Sequence, residues 1–358
     1  MKQPLDPEIL EKIRKWTQRP DDSSRKKRIT TDGVAEDAAP SVRDRPKALD
    51  EIVGQENLVN QLRLICAGSN LRDVPMPHVL LGGPAGHGKT TLSNIIAQEL
   101  GAEMIQANGM TLRRPNDLIS ILMKCSGSTV LFIDEIHAMS KRSMEVLYEA
   151  LEDMTVSMVV GTDEETVSYT HELEDLVVVG ATTMPGVLAT PFRQRFGFHG
   201  TVEAYKVDEL AEIVSRAWKR VGAKFWKNEP LEVAYRSKGV PRRALHLAER
   251  VLDYAAVVDT GDPDDGVTVS VKAGFTSKAL ELFGIDDLGL DQDDYRILNA
   301  LCVTFGGRTV GLETLAQALD MDPRTLRETY EPYLAQQAYI TRTKTGRMAL
   351  PKAYEILK

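Results

Sequence analysis

Residues 44 to 206 alternate between short unbroken apolar runs and longer stretches whose apolar residues recur at helical spacing. The runs are HVLLGG at His78–Gly83, EMIQA at Glu103–Ala107, TVLFID at Thr129–Asp134, LVVVGATT at Leu176–Thr183 and GTVEAY at Gly200–Tyr205. A strand that is apolar at successive positions has no solvent face, and the amphipathic helices between such strands supply the cover. The pattern therefore predicts an α/β domain, a parallel sheet with helices on both faces. Between the third and fourth runs, TVSMVVGTDEETVSYTHE sets two β-prone stretches around Gly161-Thr162-Asp163-Glu164. A plain αβ connection needs no such insertion, so a projecting hairpin over 155–175 is expected.

The pattern changes on either side of this domain. Residues 207–284 carry almost no strand signal up to 257 and read as a small helical domain, interrupted by the polar stretch DTGDPDDG at 259–266, where a turn or linker is expected. Residues 285–358 run through two or three short helices into YITRTKTGRMAL, two strands around a basic turn, which predicts a winged helix. Residues 1–43 form a polar arm in which Ile9, Leu10, Ile13 and Trp16 suffice for one short amphipathic helix, followed by the basic cluster Arg25-Lys26-Lys27-Arg28.

Composition narrows the class. At 358 residues and 42% hydrophobic content the chain exceeds one compact unit, in keeping with three domains. A net charge of −8 argues against coating nucleic acid with the whole surface and leaves room for a local basic patch. Cys66, Cys125 and Cys302 lie far apart, without the spacing of a zinc site, and read as thiols in a reducing compartment. No apolar stretch reaches the roughly 18 residues that span a bilayer, and no hydrophobic signal region opens the chain, so a soluble cytoplasmic protein without a membrane partner is expected.

The chemistry begins at LGGPAGHGKTTL, residues 81–92. Gly83-x4-Gly88-Lys89-Thr90 follows a predicted strand and opens a predicted helix, the context a phosphate-binding loop requires. Gly86 and Gly88 let backbone N–H groups turn in towards phosphates, Lys89 neutralises their charge, and the Thr90 hydroxyl completes a Mg²⁺ shell, which makes ATP and Mg²⁺ the expected ligands. The run at 130–137, VLFIDEIH, delivers two carboxylates at a strand end: Asp134 to hold Mg²⁺ through water and Glu135 to activate the attacking water. Thr183 ends the fourth run where a hydroxyl can position that water. Arg193 and Arg195 follow a Pro-bounded turn and serve either as a surface salt bridge or as an arginine finger for a neighbouring subunit's phosphate.

Taken together, RPKALDEIVGQ (45–55), residues 78–101, VLFIDEIHAMS (130–140), GATTMPGVLATPFRQRFG (180–197), GVPRRA (239–244) and the segment 310–349 ending in YEPYLAQQAYITRTKTGRMA resemble the RuvB family. Those proteins are AAA+ motors of bacterial Holliday-junction branch migration. The resemblance implies a AAA+ ATPase domain over 44–206, a helical lid over 207–284 and a winged-helix head over 285–358. It makes Thr183 the first nucleotide sensor, Arg195 a finger acting in trans, and Arg242 the second sensor. Arg45, Ile52, Val53 and Tyr205 would line the nucleotide pocket, Gly83, Gly86, Gly88, Lys89, Thr90 and Thr91 the phosphates, and Glu152, Asp153 and Met154 would approach the nucleotide. Arg342, Lys344 and Arg347 would contact DNA. Hairpin 155–175, through Val156, Met158 and Val160, would dock on a RuvA-like junction-binding protein.

The expected activity is ATP-driven branch migration of four-way junctions on duplex DNA by a homo-oligomeric ring, a hexamer, in recombination and repair. A clamp loader or protein remodeller shares the ATPase core but lacks a basic winged helix. A non-motor DNA-binding protein gated by ATP has no use for Asp134, Glu135 and Arg195. Four departures stand out: Ala85 and His87 in the loop, with His87 expected to face solvent; Val240 beside the second sensor; Asp44 near the pocket; and acids at 163, 164, 165, 172, 174 and 175 on the hairpin.

Overall fold

A computed structural model describes residues 41–162, 165–259 and 269–357, with isolated positions 7, 9 and 11. Leu10, Ile13, Trp16, the basic cluster at 25–28, Asp163 and Glu164, and nearly all of the 259–266 linker lie outside the described residues. The chain divides into two compact units, one of Asp44–Glu209 with Val240–Arg242, the other holding Leu210–Gly239 and the chain from Arg243 onward. No described helix is long and apolar enough to cross a membrane.

The first unit is built on a five-stranded parallel sheet. Its strands are β1 (Val79–Gly82), β2 (Glu103–Asn108), β3 (Thr129–Asp134), β6 (Leu176–Thr182) and β7 (Phe198–Thr201), in the order β2-β3-β6-β1-β7. Strand periodicity divides the apolar side chains between two cores: Leu80, Leu131, Ile133 and Val178 enter one, whereas Val79, Leu81, Val130, Phe132, Val177, Val179 and Ala181 enter the other. That two-sided burial is why the runs are apolar at consecutive positions. Helices α1 (Glu56–Arg72), α2 (Lys89–Glu99), α3 (Pro115–Leu122) and α4 (Lys141–Asp153) cover the faces, α4 starting where the Ser140 hydroxyl accepts the Ser143 N–H at 3.1 Å.

The fifth strand lies at 198–201 rather than over the predicted Gly200–Tyr205. It pairs with β1, which ends at Gly82, so the ladder has no partner past Thr201 apart from a last bond from Val202 N–H to the Gly82 carbonyl. β4 (Thr155–Thr162) and β5 (Glu165–Glu172) form the expected hairpin, with Thr155 opposite Glu172 and Thr162 opposite Glu165. Its apolar base is not free. Val156 is 3% exposed in the core below the sheet and Met158 packs against the same cluster, because the hairpin must be anchored to stand up. The Val160 side chain lies outside the described residues.

Helix α5 (Val207–Arg220), which enters the second unit at Leu210, buries Leu210, Val214, Ala217 and Trp218, with Asp208 and Glu209 at its N-terminal end and Lys219 and Arg220 at the other, as the helix dipole favours. The Trp218 indole donates to the Ala248 carbonyl on α6 (Pro241–Asp259) at 3.1 Å. A two-residue parallel ladder, β8 (Lys224–Phe225) on β9 (Ser270–Val271), adds a strand pair too short to read in the pattern. The C-terminal part is the predicted winged helix. Leu290, Ile297, Leu301, Leu315, Leu326, Leu334 and Ile340 form its core, and β10 (Ile340–Arg342) pairs antiparallel with β11 (Arg347–Ala349). It is joined to the lid by Lys238, which inserts between Asp291 and the fully buried Asp294 and lies 5.4 Å from the Tyr333 ring centroid.

Candidate functional site

Parallel strands that are neighbours end at the same edge, and here β1, β6 and β3 are neighbours. The phosphate loop, Thr183 and the acids of 134–135 therefore meet at the C-terminal edge of the sheet, the customary ligand side of an open α/β sheet. The loop turns on Gly83, Gly86 and Gly88, with φ of 141°, 77° and 101°. Gly83 is also forced by space, since a β-carbon there would lie 2.6 Å from the Val202 carbonyl oxygen. Lys89 is 6% exposed and its Nζ donates to the carbonyls of Gly83 at 2.7 Å and Pro84 at 2.9 Å, so one of its three donors is left for a phosphate oxygen. Burial lowers its pKa, opposed by Glu135 and Asp134. Thr90 and Thr91 lie in the first turn of α2, half-buried.

Glu135 does not follow the alternation of β3. Its φ of 48° takes the chain out of the strand, its N–H returns to Asp134 Oδ1 at 3.0 Å, and its carboxylate Oε2 accepts the Thr183 hydroxyl at 3.1 Å. The two residues assigned to the water thus touch. Gly109 makes room for this turn: a β-carbon there would lie 2.3 Å from the Glu135 carbonyl oxygen. Nothing local in NGMTL marks that glycine, because the need for it arises across the sheet.

Arg242 reaches the loop from the far end of the domain sequence. Its N–H donates to the Gly86 carbonyl at 3.4 Å, and a β-carbon on Gly86 would stand 2.8 Å from Val240 Cγ1 and 3.4 Å from Arg242 Cβ. Val240 therefore seals the segment against the loop. His87 is 5% exposed, with Nδ1 at 2.9 Å from the Ala85 carbonyl oxygen and its ring centroid 6.2 Å from that of Tyr205. The expectation that it faces solvent fails: the loop turns it inward against Tyr205, and burial lowers its pKa.

Tyr205 is tied to the segment before α1. Gln55 exchanges two bonds with Glu203, Nε2 to the carbonyl and Oε1 from the N–H, both at 2.9 Å, so 52–55 and 203–205 form one wall beside the loop. Burial and then Glu209 push the Tyr205 phenol up to about 12. Ile52 and Val53 are half-buried in this wall and Arg45 is exposed just before it. Gln55 is a positioning residue that the sequence pattern did not distinguish.

Other candidates are placed elsewhere. Arg195 pairs with Glu152, Nη2 to Oε2 at 2.8 Å, and its guanidinium carbon stands 4.5 Å from the Tyr148 ring centroid while an N–H donates to the Tyr148 hydroxyl. Glu152 is thereby brought to the finger candidate. Asp153 is exposed and Met154 is half-buried against the core below the sheet. In the wing, Lys344 is exposed at the turn, whereas Arg342 Nε at 3.0 Å and Arg347 Nη2 at 3.2 Å both hold Glu331, whose side chain is fully buried. The wing's local positive charge is therefore offset by one acid from the helix behind it, which a reading confined to 341–352 does not include.

Three family models follow one another along residues 44–358: a Holliday junction DNA helicase RuvB P-loop domain over 44–202, a RuvB AAA lid domain over 205–286 and a RuvB C-terminal winged-helix domain over 287–358. The Holliday junction branch migration complex subunit RuvB of Streptococcus uberis is 41% identical over 314 residues, covering 88% of this chain and 92% of that protein. The Streptococcus agalactiae subunit of strain NEM316 is 40% identical over 313 residues, 87% and 92% of the two chains. Among solved structures, the Thermotoga maritima RuvB Holliday junction branch migration motor aligns at 38% identity with a TM-score of 0.77, over 87% of this chain and 97% of that one.

Proposed function

The chain belongs to the RuvB family, and from that premise we propose that it burns ATP at a seam between protomers of a homo-oligomeric ring, a hexamer, to drive duplex DNA and migrate the branch of a Holliday junction. One observation carries the reading. Lys89 and the Arg242 backbone bond to the phosphate loop, and Asp134, Glu135 and Thr183 join one another at the same sheet edge, the arrangement a hydrolase needs rather than a bare nucleotide-binding protein.

Lys89 and the loop amides hold the phosphates, Glu135 orients and activates the attacking water, and Thr183 fixes Glu135. Thr90 and Asp134 offer hard oxygen donors that fit Mg²⁺, Asp134 still having Oδ2 after giving Oδ1 to the Glu135 N–H. When bound, that ion shields the phosphate charge. Ile52, Val53 and Tyr205 border the base, with Arg45 before them. Arg195, held outward by Tyr148 and Glu152, serves the neighbouring protomer's phosphate. Arg242 serves as the second nucleotide sensor beside the loop, and the winged helix, with Arg342, Lys344 and Arg347, grips phosphates without reading bases, as a motor that moves along any sequence requires. The hairpin docks on a RuvA-like protein; among the described side chains, Tyr169, opposite Met158 on the same face and 63% exposed, is one apolar group available for that contact.

The test is branch migration of a synthetic four-way junction by the purified protein, with and without a RuvA-like partner, alongside ATPase assays with duplex DNA of unrelated sequences. ATP-dependent migration and sequence-independent stimulation support the reading. Turnover that responds only to a protein client refutes it.

A further inference from the structure

Two segments leave neighbouring strands beside Glu135. Residues 109–114, GMTLRR, follow β2, and residues 135–142, EIHAMSKR, follow β3. They are joined twice: the Gly109 N–H donates to the Asp134 carbonyl at 2.7 Å, and the Ser140 N–H to the Leu112 carbonyl at 3.4 Å. Leu112 and Met139 turn into the core below the sheet, 2% and 6% exposed. Arg113 and Arg114 on the first segment and Lys141 and Arg142 on the second are exposed. The two segments together form a ledge of four cations on a chain of net charge −8.

Among the described residues no carboxylate pairs with any of the four, not even Glu145 one turn along α4, and Asp117 is taken by the Arg114 backbone N–H at 3.0 Å. Their places also disfavour positive charge on local grounds. Lys141 and Arg142 are the first two residues of α4, where the helix dipole favours acids, and Arg114 is the N-cap of α3, where a side-chain acceptor is preferred. The fold thus supplies no reason for these cations, whereas an external anion does. Met110, 36% exposed, is the single large apolar side chain exposed on the two segments, too little for the apolar centre of a protein interface, and a phosphate backbone needs none. We infer that the ledge is a second contact for the phosphates of duplex DNA, carried by the ATPase domain itself and distinct from the wing residues. It frames Glu135: the first segment begins at Gly109, over which Glu135 turns, and the second begins at Glu135. Phosphates seated on the ledge order both segments, which gives DNA a route to the rate of hydrolysis.

The inference rests on the reading of the chain as a DNA-driven ATPase, and the experiment separates the two. Arg113 also closes its own loop, Nε donating to the Met110 carbonyl at 3.1 Å, so Lys141 and Arg142 make the cleaner test. In the full-length chain, ATP hydrolysis without DNA, its stimulation by duplex DNA of unrelated sequences, and DNA binding at several salt concentrations are measured. The proteins compared are the parent, Lys141→Ala with Arg142→Ala, and Lys141→Glu with Arg142→Glu. The Ala pair is expected to keep the DNA-free rate within about twofold, to raise the DNA concentration for half-stimulation roughly tenfold, and to reduce the salt slope of binding by about two. The Glu pair loses more stimulation yet melts no lower than the parent, since acids suit the start of a helix, which sets the loss apart from misfolding. Parental stimulation and salt slope in the Ala pair, or a DNA-free rate that falls in step with the stimulated one, overturns the inference. A parent that hydrolyses ATP without any response to duplex DNA overturns the motor reading instead, and the salt slope still decides the ledge.

Discussion

Arg195 and Glu152 form an ion pair of 2.8 Å within one protomer, at the end of α4. On the proposed reading, a guanidinium aimed by its own subunit acts on the nucleotide of the neighbouring protomer. Arg195→Ala should therefore keep nucleotide binding within a few-fold and lower turnover by roughly a thousandfold. Mixing it with Glu135→Gln is the sharper measurement: some interfaces then pair an intact Arg195 with an intact Glu135, and ATPase returns in part. No recovery at any ratio would exclude action in trans.

Gly109 is predicted to be irreplaceable although it is not at positive φ. An alanine β-carbon would meet the Glu135 carbonyl oxygen at 2.3 Å, and both atoms belong to backbone that cannot rotate away. Gly109→Ala should cost about 1–3 kcal/mol of stability and displace Glu135. Thermal melts read the first effect, and a drop in kcat at unchanged nucleotide affinity reads the second.

Acid should weaken the ATPase unit through His78. Burial lowers its pKa from 6.5 to about 4, with Nδ1 accepting the Val178 N–H at 3.1 Å. The unfolded chain takes up this proton below 6.5 and the folded chain only near 4. The contribution is thus whole above 6.5 and is lost as pH falls through that window, on the order of 3 kcal/mol at most. His78→Asn keeps an acceptor for Val178 and removes the proton. Its melting temperature should fall less between pH 7 and pH 5 than the parent's, and an equal fall would assign the sensitivity elsewhere.

The wing separates grip from structure. Lys344→Ala should leave stability unchanged and reduce the salt slope of DNA binding by about one. Arg347→Ala leaves the buried Glu331 with Arg342 alone and should destabilise the head by about 1–3 kcal/mol. Arg342→Ala together with Arg347→Ala should weaken binding and flatten its salt dependence. Titrations at several salt concentrations, with melts in parallel, decide both points, and unchanged binding in the double variant would remove these arginines from the DNA contact.

Much of this protein is legible along the chain because its signals are local. Burial on both faces writes β1, β3 and β6 as unbroken apolar runs, and a phosphate loop must place two glycines, a lysine and a threonine within a few residues of a strand end. The winged helix announces itself by alternating residues around a basic turn. What only the tertiary structure decided involves partners far apart in sequence. Gly109 is needed because Glu135 turns over it, His87 is buried because Tyr205 covers it, Val156 is anchored under the sheet, and Glu331 stands behind Arg342 and Arg347. The end of β7 belongs to the same class, since it is set by where β1 runs out. A pattern along one segment carries the periodicity of its own backbone, whereas steric closure and charge compensation depend on what the fold brings alongside it.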